Sequence, residues 1–221
     1  MSPFITLMRR DLTLMFRQGG GLGAALSFML AFIVMIPLAI GPDQATLARL
    51  APGLMWLALL LAILLTTERM FQQDHEDGSL DLLNGASLPL ELVCLAKALS
   101  HWLAVGLPLA VLAAPLGILL NLATSSIIPL MLAMITGSVA LSLMASIAGA
   151  VTAGLRRGGL VVPLLVLPLY VPVLIFGIAA STGDLGPSGN TPALLVLLAI
   201  ALVAIVIQPW AAAAALRAYF R

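Results

Sequence analysis

Six apolar stretches, each long enough to cross a bilayer as a helix, divide this chain of 221 residues. A spanning helix needs about 20 mostly apolar residues. The stretches are 22–40, 51–67, 99–121, 127–153, 159–181 and 192–216. Only 9% of the residues are charged, whereas a soluble domain carries roughly 25%. The sequence therefore predicts an all-α polytopic membrane protein with six transmembrane helices in a single domain, 1–221.

The basic residues are distributed unevenly between the two sides that a six-span layout creates. Nine of the ten lie on one side: Arg9, Arg10, Arg17, Arg69, Lys97, Arg156, Arg157, Arg217 and Arg221. Only Arg49 lies on the other side. Because lysine and arginine accumulate in cytoplasmic loops, we expect both termini in the cytoplasm. The net charge of +1 excludes the strongly basic surface that a nucleic-acid partner requires.

Several chemistries are excluded by the residues that the chain lacks. Cys94 is the only cysteine, so an internal disulfide, a Cys-x-x-Cys pair and a cysteine-based zinc site are ruled out. The only lysine, Lys97, follows Ala96 rather than a glycine, so there is no P-loop for ATP. The spans also lack a buried acidic or arginine residue that would relay ions. We therefore expect a protein that is not an enzyme, with no metal site and with any ATP bound by a separate subunit.

Residues 3–18 have the pattern of an amphipathic helix that lies on a membrane surface. Arg9, Arg10 and Arg17 fall on one polar arc, and apolar residues cover the rest. Such a helix rests in the headgroup layer and contacts membrane lipids. Asp11 is the exception, since it projects from the apolar side. Two interpretations remain open: Asp11 is solvated or paired with a neighbouring arginine, or it contacts a cation on another subunit.

The segment 68–97, between the second and third spans, is the only long connection that faces water. We expect the second helix to end near Gly78, a residue that suits a helix C-terminus. Ser79 can then cap a short helix with Asp81 in its first turn. The candidate contact residues are Asp74, Glu76, Asp77, Gly78, Ser79, Leu80, Asp81, Leu82 and Leu83. This surface helix suits contact with a partner, although a merely solvated connector would share its composition.

Other residues allow both a structural and a functional interpretation. Lys97, His101 and Trp102 lie at the start of the third span, where we expect access to water, interfacial anchoring or a hydrogen bond to a neighbouring helix. Haem ligation by His101 is the sharper alternative, and His75 is expected to be solvated. Pro163, Pro168 and Pro172 in the fifth span either shape helix packing or form a hinge or a protein-binding groove. Small residues of the fourth span predict close packing within the chain, with a homodimer seam second: Ser138, Ser142, Ser146, Gly149 and Ala153.

The run from Glu76 to Leu83 resembles the coupling-loop signature of the ABC-2 class of ATP-binding-cassette permeases. Further runs, in order along nearly the whole chain, resemble the haem exporter protein B (CcmB) family. They are Ala48 to Gly53, Glu68 to Phe71, Leu95 to Trp102, Gly106 to Leu109, Leu155 to Gly159, Leu167 to Phe176 and Ala213 to Arg217.

This resemblance implies a permease subunit of a CcmABCD complex in the bacterial inner membrane, serving haem export or release of a haem-loaded chaperone in c-type cytochrome biogenesis. The ATPase CcmA would dock on the coupling loop, and CcmC, CcmD, the haem chaperone CcmE and a second copy of the chain would be further partners. Haem would be a cargo or a ligand of a partner. Three alternatives stay open: an ABC-2 permease for a lipid or drug, a stand-alone channel or carrier, and a membrane scaffold that translocates nothing.

Overall fold

A computed structural model describes residues 2–17, 21–41, 43–155, 158–182 and 189–220. Within these ranges the chain is helical and contains no strand. The helices are α1 (Pro3–Arg17), α2 (Leu22–Ile40), α3 (Gln44–Thr67), α4 (Arg69–Glu76), α5 (Ser79–Asn84), α6 (Leu90–His101), α7 (Leu107–Leu119), α8 (Thr124–Thr152), α9 (Gly158–Thr182) and α10 (Thr191–Tyr219). A π-helical segment, Trp102–Gly106, joins α6 to α7.

The prediction of six spans is confirmed. Six helical segments are long and apolar enough to cross a membrane: Leu22–Ile40, Gln44–Glu76, Leu90–Leu119, Thr124–Thr152, Val161–Thr182 and Thr191–Tyr219. The second segment extends beyond the predicted stretch 51–67 at both ends, and the third begins before the predicted stretch 99–121, at Leu90. The second span begins early because Asp43 caps its N-terminus. The Asp43 side chain accepts hydrogen bonds from the backbone N–H groups of Ala45 and Thr46 at 3.1 and 3.4 Å.

Helix α8 lies at the centre of the bundle and packs against α3, α6, α7, α9 and α10. Its stripe of small residues faces inward, with Ser138, Ser142 and Ser146 fully buried. Gly149 lets α8 approach α3 closely, because a Cβ there would lie 3.1 Å from the carbonyl oxygen of Thr67. The expectation that this stripe packs within the chain is confirmed.

Trp56 of α3 fills a slot that two glycines create. A Cβ at Gly137 of α8 or at Gly177 of α9 would lie 2.4 Å from the Trp56 ring. The indole is fully buried, and its Nε1–H donates to Ser181 Oγ at 3.0 Å. Three spans are therefore held together around one aromatic side chain.

The three prolines of α9 lie inside one continuous helix. The face of α9 that packs on the bundle carries Val162, Val166, Tyr170 and Val173, all buried. Pro168 and Pro172 are exposed and Pro163 is half-buried. The prolines thus lie mainly away from the packed face, and their role as a hinge or a protein-binding groove stays a prediction.

Candidate coupling site at the charged end of the bundle

One end of the bundle gathers α1, α4, α5, the start of α6 and the end of α10. At this end the chain reverses tightly between α4 and α5. Gly78 adopts a left-handed conformation with φ of 73°, which glycine reaches at no steric cost. Its backbone N–H donates to the carbonyl oxygen of His75 at 3.3 Å. The predicted helix end at Gly78 is therefore confirmed.

The predicted capping role of Ser79 is wrong. The carboxylate of Asp77 instead accepts the Ser79 backbone N–H at 2.9 Å. The left-handed turn at Gly78 places that carboxylate beside the first free amide of α5, which leaves the serine hydroxyl available. The hydroxyl donates to Asp74 Oδ1 at 2.7 Å and accepts from an Arg10 Nη2–H at 3.1 Å. Ser79 thus ties α5 to both α4 and α1.

Four charged residues form a compact group that we call the charge cluster: Arg10, Asp11, Asp74 and Lys97. Lys97 Nζ is ion-paired with the Asp74 carboxylate and lies 3.4 Å from Asp11 Oδ2. Arg10 lies 2.7 Å from Asp74 Oδ1 and 3.4 Å from Asp11 Oδ1. Lys97 also donates to the carbonyl oxygen of Met70 at 3.3 Å. The cluster joins α1, α4 and α6.

Three of the four members of the charge cluster are nearly removed from solvent. Lys97, Asp11 and Asp74 are 4%, 5% and 5% exposed. Two positive and two negative groups balance one another, which is the condition for burying ions in a low-dielectric interior. Burial raises the pKa of the Asp11 carboxyl, against the opposing effect of the Lys97 ammonium.

These contacts correct two expectations. Lys97 does not reach water, because α1 packs over α6 and encloses its ammonium. Asp11 contacts Arg10, as one interpretation held, but it is buried rather than solvated. Its second cation is Lys97 of the same chain, so contact with another subunit is not needed to explain it. Sequence reasoning missed the cluster because Asp11, Asp74 and Lys97 are far apart along the chain.

Helix α5 presents one face inward and one face outward. Leu80 is buried at 1% exposure and Leu83 is half-buried, whereas Leu82 is 76% exposed. Asp81 is exposed beside it, as are Glu76, Asp77 and Gly78 of the preceding turn. We call Glu76, Asp77, Asp81 and Leu82 the outer surface of α5. Leu82 is thus an exposed leucine among carboxylates on a helix that Leu80 and Ser79 anchor to the bundle.

His101 and Trp102 hydrogen-bond to neighbouring helices, which confirms the structural interpretation. The Thr66 hydroxyl donates to the carbonyl oxygen of Ile63 at 2.9 Å, so it accepts from His101 Nε2–H at 2.8 Å. Nδ1 then accepts from Ser142 Oγ at 3.3 Å. Trp102 Nε1–H donates to Ser138 Oγ at 3.0 Å. Both nitrogens of His101 are therefore engaged in hydrogen bonds within the bundle.

The last turn of α10 also contacts α4 and α6 at the charged end of the bundle. The Tyr219 hydroxyl hydrogen-bonds with His75 Nδ1 at 2.9 Å, and Arg217 is ion-paired with Glu91. His75, which we expected to be solvated, is half-buried and has Tyr219 as a hydrogen-bond partner. Gly154, with φ of 80°, allows this closure, since a Cβ there would lie 2.6 Å from Tyr219. Sequence analysis gave no sign of the role of Tyr219, because Tyr219 and His75 are 144 residues apart along the chain.

Two arginines of the predicted interfacial helix, Arg9 and Arg17, remain to be placed. Arg9 is exposed on α1, and the side chain of Arg17 lies outside the described part of the chain, as do Arg156 and Arg157. Among the described residues no group of three or more His, Cys, Asp or Glu side chains could hold a metal ion.

Comparison with known proteins agrees with this architecture over nearly the full length. The family model described as CcmB protein matches residues 2–219. A heme exporter protein B of Bradyrhizobium diazoefficiens is 48% identical over 218 residues, 98% of each chain. That of Paracoccus denitrificans is 48% identical over 215 residues, covering 97% of this chain and 99% of the relative. That of Escherichia coli is 39% identical over 217 residues, 97% of each. A six-span chain with these matches belongs to the CcmB family.

Proposed function

We propose that this chain is the membrane permease subunit of a haem-export system, driven by a separate ATPase that docks on the outer surface of α5. The names of the relatives supply the cargo. The observation that carries the docking proposal is the geometry of α5. It exposes Leu82 and Asp81, while Leu80 and Ser79 anchor it to the bundle.

The charge cluster would transmit the movement of the docked ATPase. A push on α5 acts through Ser79 on Asp74 and Arg10, and Asp74 is ion-paired with Lys97 at the start of the third span. Buried ion pairs resist separation, because parting them leaves uncompensated charge in a low dielectric. α5, α1 and α6 would therefore move together. The partner hydrolyses ATP, and this chain converts the closure of its nucleotide sites into helix movement.

The further assignments follow the family resemblance. The ATPase would be CcmA-like, and CcmC-like and CcmD-like subunits, the chaperone CcmE and a second copy of the chain would complete the assembly. ATP hydrolysis would release haem-loaded chaperone in the bacterial inner membrane, with both termini in the cytoplasm. Since both nitrogens of His101 are occupied, we assign haem ligation to another subunit.

Replacing Leu82 tests the docking surface. Leu82→Arg places a cation where an apolar contact is expected, so the ATPase should no longer co-purify and cytochrome c maturation should fail. Leu155→Arg is the matched control, because Leu155 is an exposed leucine beyond the end of α8. The Leu82 variant must still accumulate in the membrane. Wild-type recovery of the ATPase together with normal maturation would refute the proposal.

Cysteine labelling tests the orientation on which docking depends. The only cysteine, Cys94, is fully buried, so a Leu82→Cys variant offers one reactive thiol. A membrane-impermeant maleimide should label it in inverted vesicles and not from the periplasmic side of spheroplasts. Labelling from the periplasm alone would place α5 on the wrong side for an ATPase.

A further inference from the structure

A cavity of about 520 Å³ lies between α1 on one side and the end of α3 with α4 on the other. Its floor is formed by Thr66, His101 and Val105, which are buried. Neither the hydrogen bonds of α5 nor the charge cluster uses this space. Its volume is in the range of ligand-binding pockets, about 300–1,000 Å³.

The depth of the cavity corresponds to the headgroup layer of a bilayer. Gly21, which lines it, directly precedes the first residue of the first span. Thr66 is among the last residues of the apolar part of the second span, and the charged residues Glu68 and Arg69 follow. The cavity thus lies where apolar helix surface gives way to charge, which is the position of lipid headgroups.

The two walls have different chemistry. Glu68, Gln72 and Glu76 follow one another at four-residue spacing and line the cavity together, so they share one side of the α4 segment. Gln72 Nε2–H donates to Glu76 Oε1 at 3.1 Å, which orders this wall. The opposite wall is apolar and consists of Leu14 and Met15 of α1. A ligand that fits both walls has a cationic polar end and an apolar body.

We propose that the cavity binds a phospholipid with a primary ammonium headgroup, such as phosphatidylethanolamine. The ammonium would donate to the carboxylates of Glu68 and Glu76, and the acyl chains would leave past Leu14 and Met15. Among the described residues that line the cavity, the charged groups are these two carboxylates and the Arg69 guanidinium, a net charge of −1. This balance disfavours an anionic lipid, and it disfavours haem, whose two propionates would meet the carboxylates.

Lipid competition tests the proposal without any partner subunit. The full chain is placed in nanodiscs containing equal amounts of phosphatidylethanolamine and phosphatidylglycerol, and the retained lipid is identified by native mass spectrometry. The wild type should retain the ethanolamine lipid preferentially. Glu68→Gln with Glu76→Gln should lower that preference roughly two- to thirtyfold, the range expected for losing two partly exposed ion pairs.

Asp81→Asn is the matched control, because it removes one carboxylate from the same end of the bundle without touching the cavity. It should leave the lipid preference unchanged. Equal retention of both lipids by the wild type would overturn the proposal. So would an undiminished preference in the double variant, or haem occupying the cavity in place of lipid, seen as a haem mass and Soret absorption that Leu14→Trp abolishes. Loss of ATPase docking in Leu82→Arg bears only on the proposed function.

Discussion

Removing the Lys97 ammonium should destabilise the protein strongly, and by an amount that depends on pH. In Lys97→Met the charge cluster keeps the carboxylates of Asp11 and Asp74 but retains only Arg10 as a cation. Arg10 is the most exposed member, with 34% of its side chain accessible. One buried carboxylate is therefore left without a compensating charge, and it must take up a proton or remain ionised at greater cost.

The size of this loss of stability follows from the free energy needed to protonate the uncompensated carboxylate. Asp11 is the natural site, because burial already raises its pKa in the intact cluster. Holding a carboxyl protonated at pH 7 that ionises near pH 4 when unfolded costs about 4 kcal/mol, at 1.36 kcal/mol per pH unit. The folded variant binds one proton more than its unfolded state, so its stability is greatest at low pH and falls as pH rises. At pH 5 the loss should shrink to about 1.5 kcal/mol.

Unfolding in mixed micelles with increasing SDS, followed by tryptophan fluorescence, measures these differences. Lys97→Met combined with Asp11→Asn should recover most of the loss at pH 7, since the amide is neutral without taking up a proton. Arg217→Met is the control for loss of a cation. The Arg217 side chain is 52% exposed, so removing its pair with Glu91 should cost only about 0–1 kcal/mol. A Lys97→Met variant as stable as the Arg217 control at pH 7, or one whose loss does not change between pH 5 and pH 7, would refute the reasoning.

Two further substitutions probe the packing and the turn. Gly177→Ala places a Cβ within 2.4 Å of the Trp56 ring, so we expect the free energy of unfolding to fall by about 1–3 kcal/mol or more and the near-ultraviolet circular dichroism to change. Gly23→Ala is the control, because a Cβ there meets nothing within 4 Å, and it should be neutral or slightly stabilising. Equal effects of the two substitutions would contradict the packing of Trp56 against Gly177. Ser79→Ala removes one hydrogen bond from the buried Asp74 carboxylate, so we expect the free energy of unfolding in the same SDS titration to fall by about 1–3 kcal/mol. An unchanged transition midpoint would show that the Ser79 hydroxyl does not anchor α5.

The span count could be predicted because the cost of exposing backbone polar groups to lipid acts on each helix separately. The helix end at Gly78 could also be predicted from local sequence, because the turn requires a left-handed conformation that glycine adopts at no steric cost. The cap at Ser79 was predicted wrongly for a tertiary reason. The Ser79 hydroxyl instead hydrogen-bonds to Asp74 and Arg10, and the Asp77 carboxylate accepts the Ser79 backbone N–H.

Sequence alone determined the six spans, the uneven distribution of basic residues and the family, because hydrophobic length, charge and ordered runs are properties of the chain itself. Tertiary structure decided that Asp11, Asp74 and Lys97 share one buried site, that His101 has no free nitrogen and that Tyr219 holds His75. These pairings join residues far apart along the chain. Only helix packing decides which of them meet, since an ionisable side chain can remain buried only where an opposite charge or a hydrogen-bonding group faces it.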